Sequence, residues 1–169
     1  MSEDRNYLQR GYNTRTELEE RGIFPPEELL KSKRLAVIEC IEDIPCNPCE
    51  EACRFKGIHK ETFTKPGQVD WENCNGCAAC LLACPGLSVF LMEIRNGKGY
   101  VTLPYEIMPT PEIGNNAELM NRAGEVIGQG KIVAPTYKAL GNATPRWVVT
   151  VEMDDPDFVY EVRAIRIIE

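Results

Sequence analysis

The residues of this 169-residue chain best suited to chemistry are its eight cysteines, all of which fall between Cys40 and Cys84. Four of them read Cys74-Asn-Gly-Cys77-Ala-Ala-Cys80-Leu-Leu-Ala-Cys84-Pro85. Two-residue spacers on a tight loop point three successive thiolates at the corners of one iron–sulfur cubane, while a fourth cysteine followed by proline turns away. Zinc sites rarely need that third closely spaced cysteine. Upstream, Cys46-Asn-Pro-Cys49-Glu-Glu-Ala-Cys53 repeats the spacing with Asp43 in its first position, and Cys40 is the obvious thiol to fill that vacancy. If Cys40 is merely a strand cysteine, the first site keeps three thiolates, completed by the Asp43 carboxylate or left as a [3Fe-4S] form. The residues following Cys53, Arg-Phe-Lys-Gly-Ile, sit beside Pro-Gly-Leu-Ser-Val after Cys84 as an internal duplication would leave them.

On these runs, residues 34–95 resemble the dicluster [4Fe-4S] ferredoxins, in which three ligands of each cluster come from one run and the fourth from the other. The resemblance implies that Cys40, Cys46, Cys49 and Cys84 hold cluster I, and that Cys53, Cys74, Cys77 and Cys80 hold cluster II. Cys53 departs from the pattern in lacking a following proline. Around Cys40, Ile-Glu-Cys-Ile-Glu-Asp-Ile-Pro-Cys-Asn-Pro-Cys, and later Leu-Pro-Tyr-Glu-Ile-Met-Pro from Leu103, the chain is similar to small iron–sulfur subunits of FAD-containing amino-acid or amine dehydrogenases of the proline or hydroxyproline type. That similarity implies a bound electron-transfer subunit with a flavoprotein partner and two [4Fe-4S] clusters. The competing readings are a freely diffusing ferredoxin and a binding protein whose clusters, or zinc, staple a small fold.

Composition narrows the classes. A net charge of −7 with scattered basic residues argues against nucleic-acid binding, which needs lysine and arginine to neutralise phosphates. No apolar stretch is long enough to span a bilayer, and the first residues, Met-Ser-Glu-Asp-Arg-Asn, lack a signal-peptide core, so a cytoplasmic protein is expected. There the cysteine spacing reads as metal ligation rather than disulfides. Gly128-Gln-Gly130 lacks the third glycine of a dinucleotide fingerprint and reads as a bulged strand. With His59 as the single histidine, a nucleophile–base system is poorly supported, and no catalytic residue is assigned. Trp71, Phe55 and Phe90 are candidates to shield the clusters, or simply core residues. Because Glu39, Glu42, Asp43, Glu50 and Glu51 surround the first run, cluster I is expected to be the lower-potential centre.

The elements that must position these cysteines follow from patterning. Residues 1–33 are polar, with short helices near 16–21 and 25–33, and read as a helical arm lying either on the chain's own surface or on a partner. Residues 34–40 read as a strand entering the cluster domain, 68–71 as a short strand, 50–52 and 81–83 as helical turns, and 88–95 as a returning strand. Asn96-Gly97 opens a hairpin into residues 99–103. The expected fold is α+β: a ferredoxin-like dicluster domain over 34–103, a Pro-rich linker over 104–116, and a small antiparallel β-sheet or barrel module over 117–169, with strands alternating through 146–153 and again through 158–168.

Overall fold

A computed structural model describes residues 6–141 and 144–168. The apolar run before Cys40 folds as β1 (Leu35–Ile38), which pairs antiparallel with β4 (Val89–Arg95). Between them lie α4 (Pro48–Glu51), β2 (Ile58–His59), β3 (Gln68–Val69) and α5 (Ala79–Ala83). β2 and β3 form a two-stranded ladder of their own. The region thus divides into two similar halves, each a strand, a cysteine loop, a short helix and a strand. Outer strand pairs with outer, and inner with inner.

Asn96 and Gly97 both adopt positive φ, 53° and 75°, and turn β4 into β5 (Lys98–Tyr105). This is the geometry a two-residue Asn-Gly hairpin requires. Beyond follow β6 (Asn116–Met120), β7 (Val126–Lys138), β8 (Arg146–Met153), a 3₁₀ turn (Pro156–Tyr160) and β9 (Ala164–Ile168). These strands do not stand apart as a separate module. The described residues form one seven-stranded antiparallel sheet in the order β1-β4-β5-β8-β7-β6-β9. The reason is visible in the β5–β8 ladder, where Val101 faces Val151 and Leu103 faces Val149. Each strand carries apolar positions that only the other can cover. Pro104, expected in the linker, belongs to β5.

Two further expectations shift. Residues 158–162 continue no strand, because Pro156 and the Asp155 side chain, which accepts from the Asp157 backbone N–H at 2.9 Å, start a 3₁₀ turn instead. The register slip foreseen near Gly128 lies opposite the Leu119/Met120 step. Gly130 itself is where β7 meets β8, since a Cβ there would stand 2.6 Å from the Glu152 carbonyl oxygen.

β1 and β4 are buried on both faces, which is why they lack polar alternation. Leu35, Val37, Phe90, Met92 and Ile94 enter the main sheet core with Val149, Val151, Leu119 and Ile165. Ala36, Ile38, Val89 and Leu91 face the other way, onto Leu81 and Leu82 of α5 and the cysteines. Val148 of β8 joins this second core.

The arm begins with α1 (Asn6–Arg10) and continues through α2 (Arg15–Glu20) and α3 (Glu27–Ser32). Thr14 and Glu17 form a reciprocal capping box on α2. Leu18 and Leu30 are fully buried, and Arg15 pairs with Asp157 at 2.7 Å, so the described part of the arm lies on the chain's own body. Residues 1–5 of the expected arm lie outside the described residues.

Candidate iron–sulfur centre

Two cavities flank the second core. One is lined by Cys53, Cys74, Cys77 and Cys80, together with Ala36, Phe55, Ile58 and Leu91. The other is lined by Cys40, Cys46, Cys49 and Cys84, with Ile38, Ile44, Pro48 and Val89. Both are small, partly open and alike in size. Each lining takes three cysteines from one stretch and the fourth from the other run. Asp43 does not line the first-run cavity; its carboxylate is held by Lys65 at 2.6 Å, and Cys40 is among the lining residues instead.

Local backbone geometry sets this arrangement. Gly76 adopts φ +66°, and a Cβ there would lie 2.5 Å from the Arg34 carbonyl oxygen, so the Cys74–Cys77 spacer can pass β1 only with glycine. Ala78 is also left-handed, φ 68°, and starts α5, which carries Cys80 into the core. The backbone N–H of Gly57 donates to Cys53 Sγ at 3.2 Å, and that of Ser88 donates to Cys84 Sγ at 3.4 Å. Both donors lie four residues beyond the fourth cysteine of a run. Ala36 of β1 adds a third such bond, to Cys74 Sγ at 3.4 Å.

Basic side chains grip the carbonyls of the cysteine loops. Lys33 Nζ donates to Trp71 O, Glu72 O and Cys74 O; Arg34 donates to Gly76 O; Lys60 donates to Cys46 O and Phe63 O. From β8, Arg146 donates to Cys84 O at 3.2 Å. None of these clamps was read from the sequence, because all but the Lys60–Phe63 contact join residues far apart in the chain and give no local signal. The Gly57 and Ser88 donors were findable: their equal offset from Cys53 and Cys84 repeats in the two halves.

All eight cysteines are free thiols. Burial, then the neighbouring Cys74 and Cys77, push the Cys80 thiol up to about 12. Burial also raises Cys40 and Cys49, with Cys84 adding to the effect. Four thiolates gathered in such a cavity repel one another and lack water, and only cations among them make that state favourable. Among the described residues no three His, Cys, Asp or Glu groups converge tightly enough to hold a single ion. The thiols ring their cavities instead, and the donor set fits a sulfur-ligated cluster with atoms of its own.

The remaining candidates separate. Phe55 lines the Cys53 cavity and is half exposed. Phe90 faces the main core, away from the cysteines, and Trp71 packs against that core with its Nε1–H donating to Ala36 O at 3.2 Å. His59 is exposed on β2 and lines neither cavity. Of the acidic residues near the first run, Glu39 and Asp43 meet cationic side chains. Glu39 points into a buried triad with Arg122, at 2.6 and 2.8 Å, and Arg163, at 2.6 Å. Burial opposes its ionisation, but the two guanidinium groups outweigh it and hold the carboxyl below its usual range.

Half of the chain matches a curated relative. Over 95 residues it is 34% identical to the polyferredoxin-like subunit of the aliphatic sulfonate oxidoreductase of Pyrococcus furiosus, an alignment covering 51% of this chain and 51% of the relative. The chain therefore spans about half the length of the curated relative it matches. No family model and no solved structure matches the sequence. No helix among the described residues is long and apolar enough to cross a membrane.

Proposed function

We propose that this chain is an iron–sulfur electron-transfer subunit of an oxidoreductase, holding two [4Fe-4S] clusters. The observation that carries the reading is the pair of four-thiol cavities, each drawing one cysteine from the opposite run. Cys40, Cys46, Cys49 and Cys84 would hold cluster I, and Cys53, Cys74, Cys77 and Cys80 cluster II. The pairing of β1 with β4 and of β2 with β3 supports a ferredoxin-like dicluster fold for this region. The similarity to a polyferredoxin-like subunit supports the class of protein.

Such clusters, when bound, supply reversible one-electron chemistry. The chain's own residues ligate through thiolate, exclude water with Ile38, Ile58, Leu81 and Val89, and direct N–H groups at Cys53, Cys74 and Cys84. No described histidine or hydroxyl lines either cavity to do bond-making chemistry. The finer reading is that electrons pass between a FAD-containing dehydrogenase subunit and an acceptor, in the cytoplasm. Its support is the sequence similarity around Cys40 and Leu103.

Anaerobic purification tests both levels. The expected product shows broad visible absorbance that dithionite bleaches, iron and acid-labile sulfide in equal amounts, and a flavin-containing partner that co-purifies. A colourless protein holding zinc would overturn the first level, and a chromophoric protein with a partner free of flavin would overturn the second.

A further inference from the structure

The two cavities differ in what surrounds their mouths. At cluster II, the lining residues open to solvent are Cys77, Asn75 and Phe55, and no charged side chain lines this cavity. Phe55 is 50% exposed and is the aromatic that lines this cavity. It projects from a tight turn closed by Lys56 N–H to Cys53 O at 3.1 Å, with Lys56 at φ 52°. On either side stand Arg54 and Lys56, both exposed.

Among the described residues, neither Arg54 nor Lys56 meets a carboxylate. Lys33 and Arg34, between α3 and β1, bond only the carbonyl oxygens of the second cysteine loop. Two cations without a carboxylate partner thus flank the aromatic that lines this cavity, in a protein whose net charge is −7. The cluster I mouth is different: charged side chains line the cavity itself, Glu42, Lys60 and Lys65, with Lys65 paired to Asp43. An exposed aromatic flanked by two unpaired cations, on the cavity that holds the exposed Cys77, is the anatomy of a docking patch rather than of a solvated face.

We infer that the Phe55 face is where this subunit exchanges electrons, and that its occupant there is a redox protein presenting an acidic rim around an apolar centre. The inference rests on the two-cluster reading above and adds which cluster faces the partner. Tunnelling falls steeply with distance, so the exposed Cys77 side offers the shortest path, and the cations steer an anionic surface onto it.

The test uses the purified, cluster-loaded protein and two variants, Arg54→Glu with Lys56→Glu, and Phe55→Ala. An acidic flavodoxin serves as the protein probe, its binding followed calorimetrically at low salt. Anionic ferricyanide and cationic hexaamminecobalt(III) serve as small oxidants, each taking one electron from the dithionite-reduced protein, with no bond made or broken. Charge reversal should weaken flavodoxin binding at least tenfold, slow ferricyanide by about tenfold or more, and speed hexaamminecobalt. Phe55→Ala, with its bleachable absorbance intact, should weaken flavodoxin binding several-fold. Unchanged binding and rates in the charge-reversed protein, with its bleachable absorbance intact, would overturn the docking face alone. A wild type without bleachable absorbance would overturn the two-cluster reading, and this inference with it.

Discussion

Among single residues, Gly76 shows how closely the cysteine spacing depends on backbone rather than on thiols alone. With φ +66° and the Arg34 carbonyl 2.5 Å from where a Cβ would stand, alanine meets both a conformational and a steric barrier. Left-handed backbone alone costs about 1–2 kcal/mol for a residue with a side chain. Gly76→Ala should therefore lower the melting temperature and reduce cluster II occupancy while leaving cluster I filled, as iron analysis and EPR would read. Equal loss of both clusters would mean that the two loops fold as one unit. The grouping of the eight cysteines around two cavities was legible because their spacing is local chemistry, whereas the demand on Gly76 was not, since it comes from the Arg34 carbonyl. Asp43 against Cys40 was not settled by spacing, and it is the Lys65 pair that draws the carboxylate elsewhere.

Most elements were legible as well: β1, β4 and the Asn96-Gly97 hairpin follow from apolar runs and a turn dipeptide, and α3 from Pro26 followed by acidic residues. What the sequence hid is how elements join. Glu39 ends β1 beside Cys40 and reads as one more acidic residue near the first run, yet it meets Arg122 from the β6–β7 turn and Arg163 before β9. All three side chains are under 10% exposed. Removing one member of a buried ion group leaves the others uncompensated, at about 3–5 kcal/mol. Glu39→Ala should destabilise the protein by that order in denaturant unfolding, whereas Glu39→Gln, which retains hydrogen bonding, should cost less. A loss within error of zero for Glu39→Ala would show that water replaces the carboxylate. The triad also changes the argument about potentials: with Glu39 and Asp43 neutralised, cluster I is expected to remain the lower-potential centre because Glu42 lines its cavity while Arg54 and Lys56 flank the Phe55 that lines the other.

At the scale of the molecule, the boundary drawn at the proline-rich stretch fails because strand pairing ignores it. Alternation in residues 146–153 announces a sheet but not its neighbour, and β8 pairs with β5 rather than within a closed module. β8 also sends Val148 into the core around the cysteines and Arg146 to Cys84 O. Truncation before Glu112 should therefore expose β5 and the main core, giving an aggregating chain that loses cluster I at least. A soluble fragment with both clusters intact would show that the sheet is dispensable to them.

The central claim is that each cluster is held by three cysteines from one run and one from the other, and paired single substitutions test it most directly. EPR of the dithionite-reduced variants Cys77→Ala, Cys53→Ala, Cys46→Ala and Cys84→Ala, each with iron counted, resolves the two centres. The account predicts that Cys77→Ala and Cys53→Ala damage the same cluster, and that Cys46→Ala and Cys84→Ala damage the other. If Cys53→Ala instead shares its defect with Cys46→Ala, or Cys84→Ala with Cys77→Ala, each run holds its own centre and the crossed arrangement is contradicted.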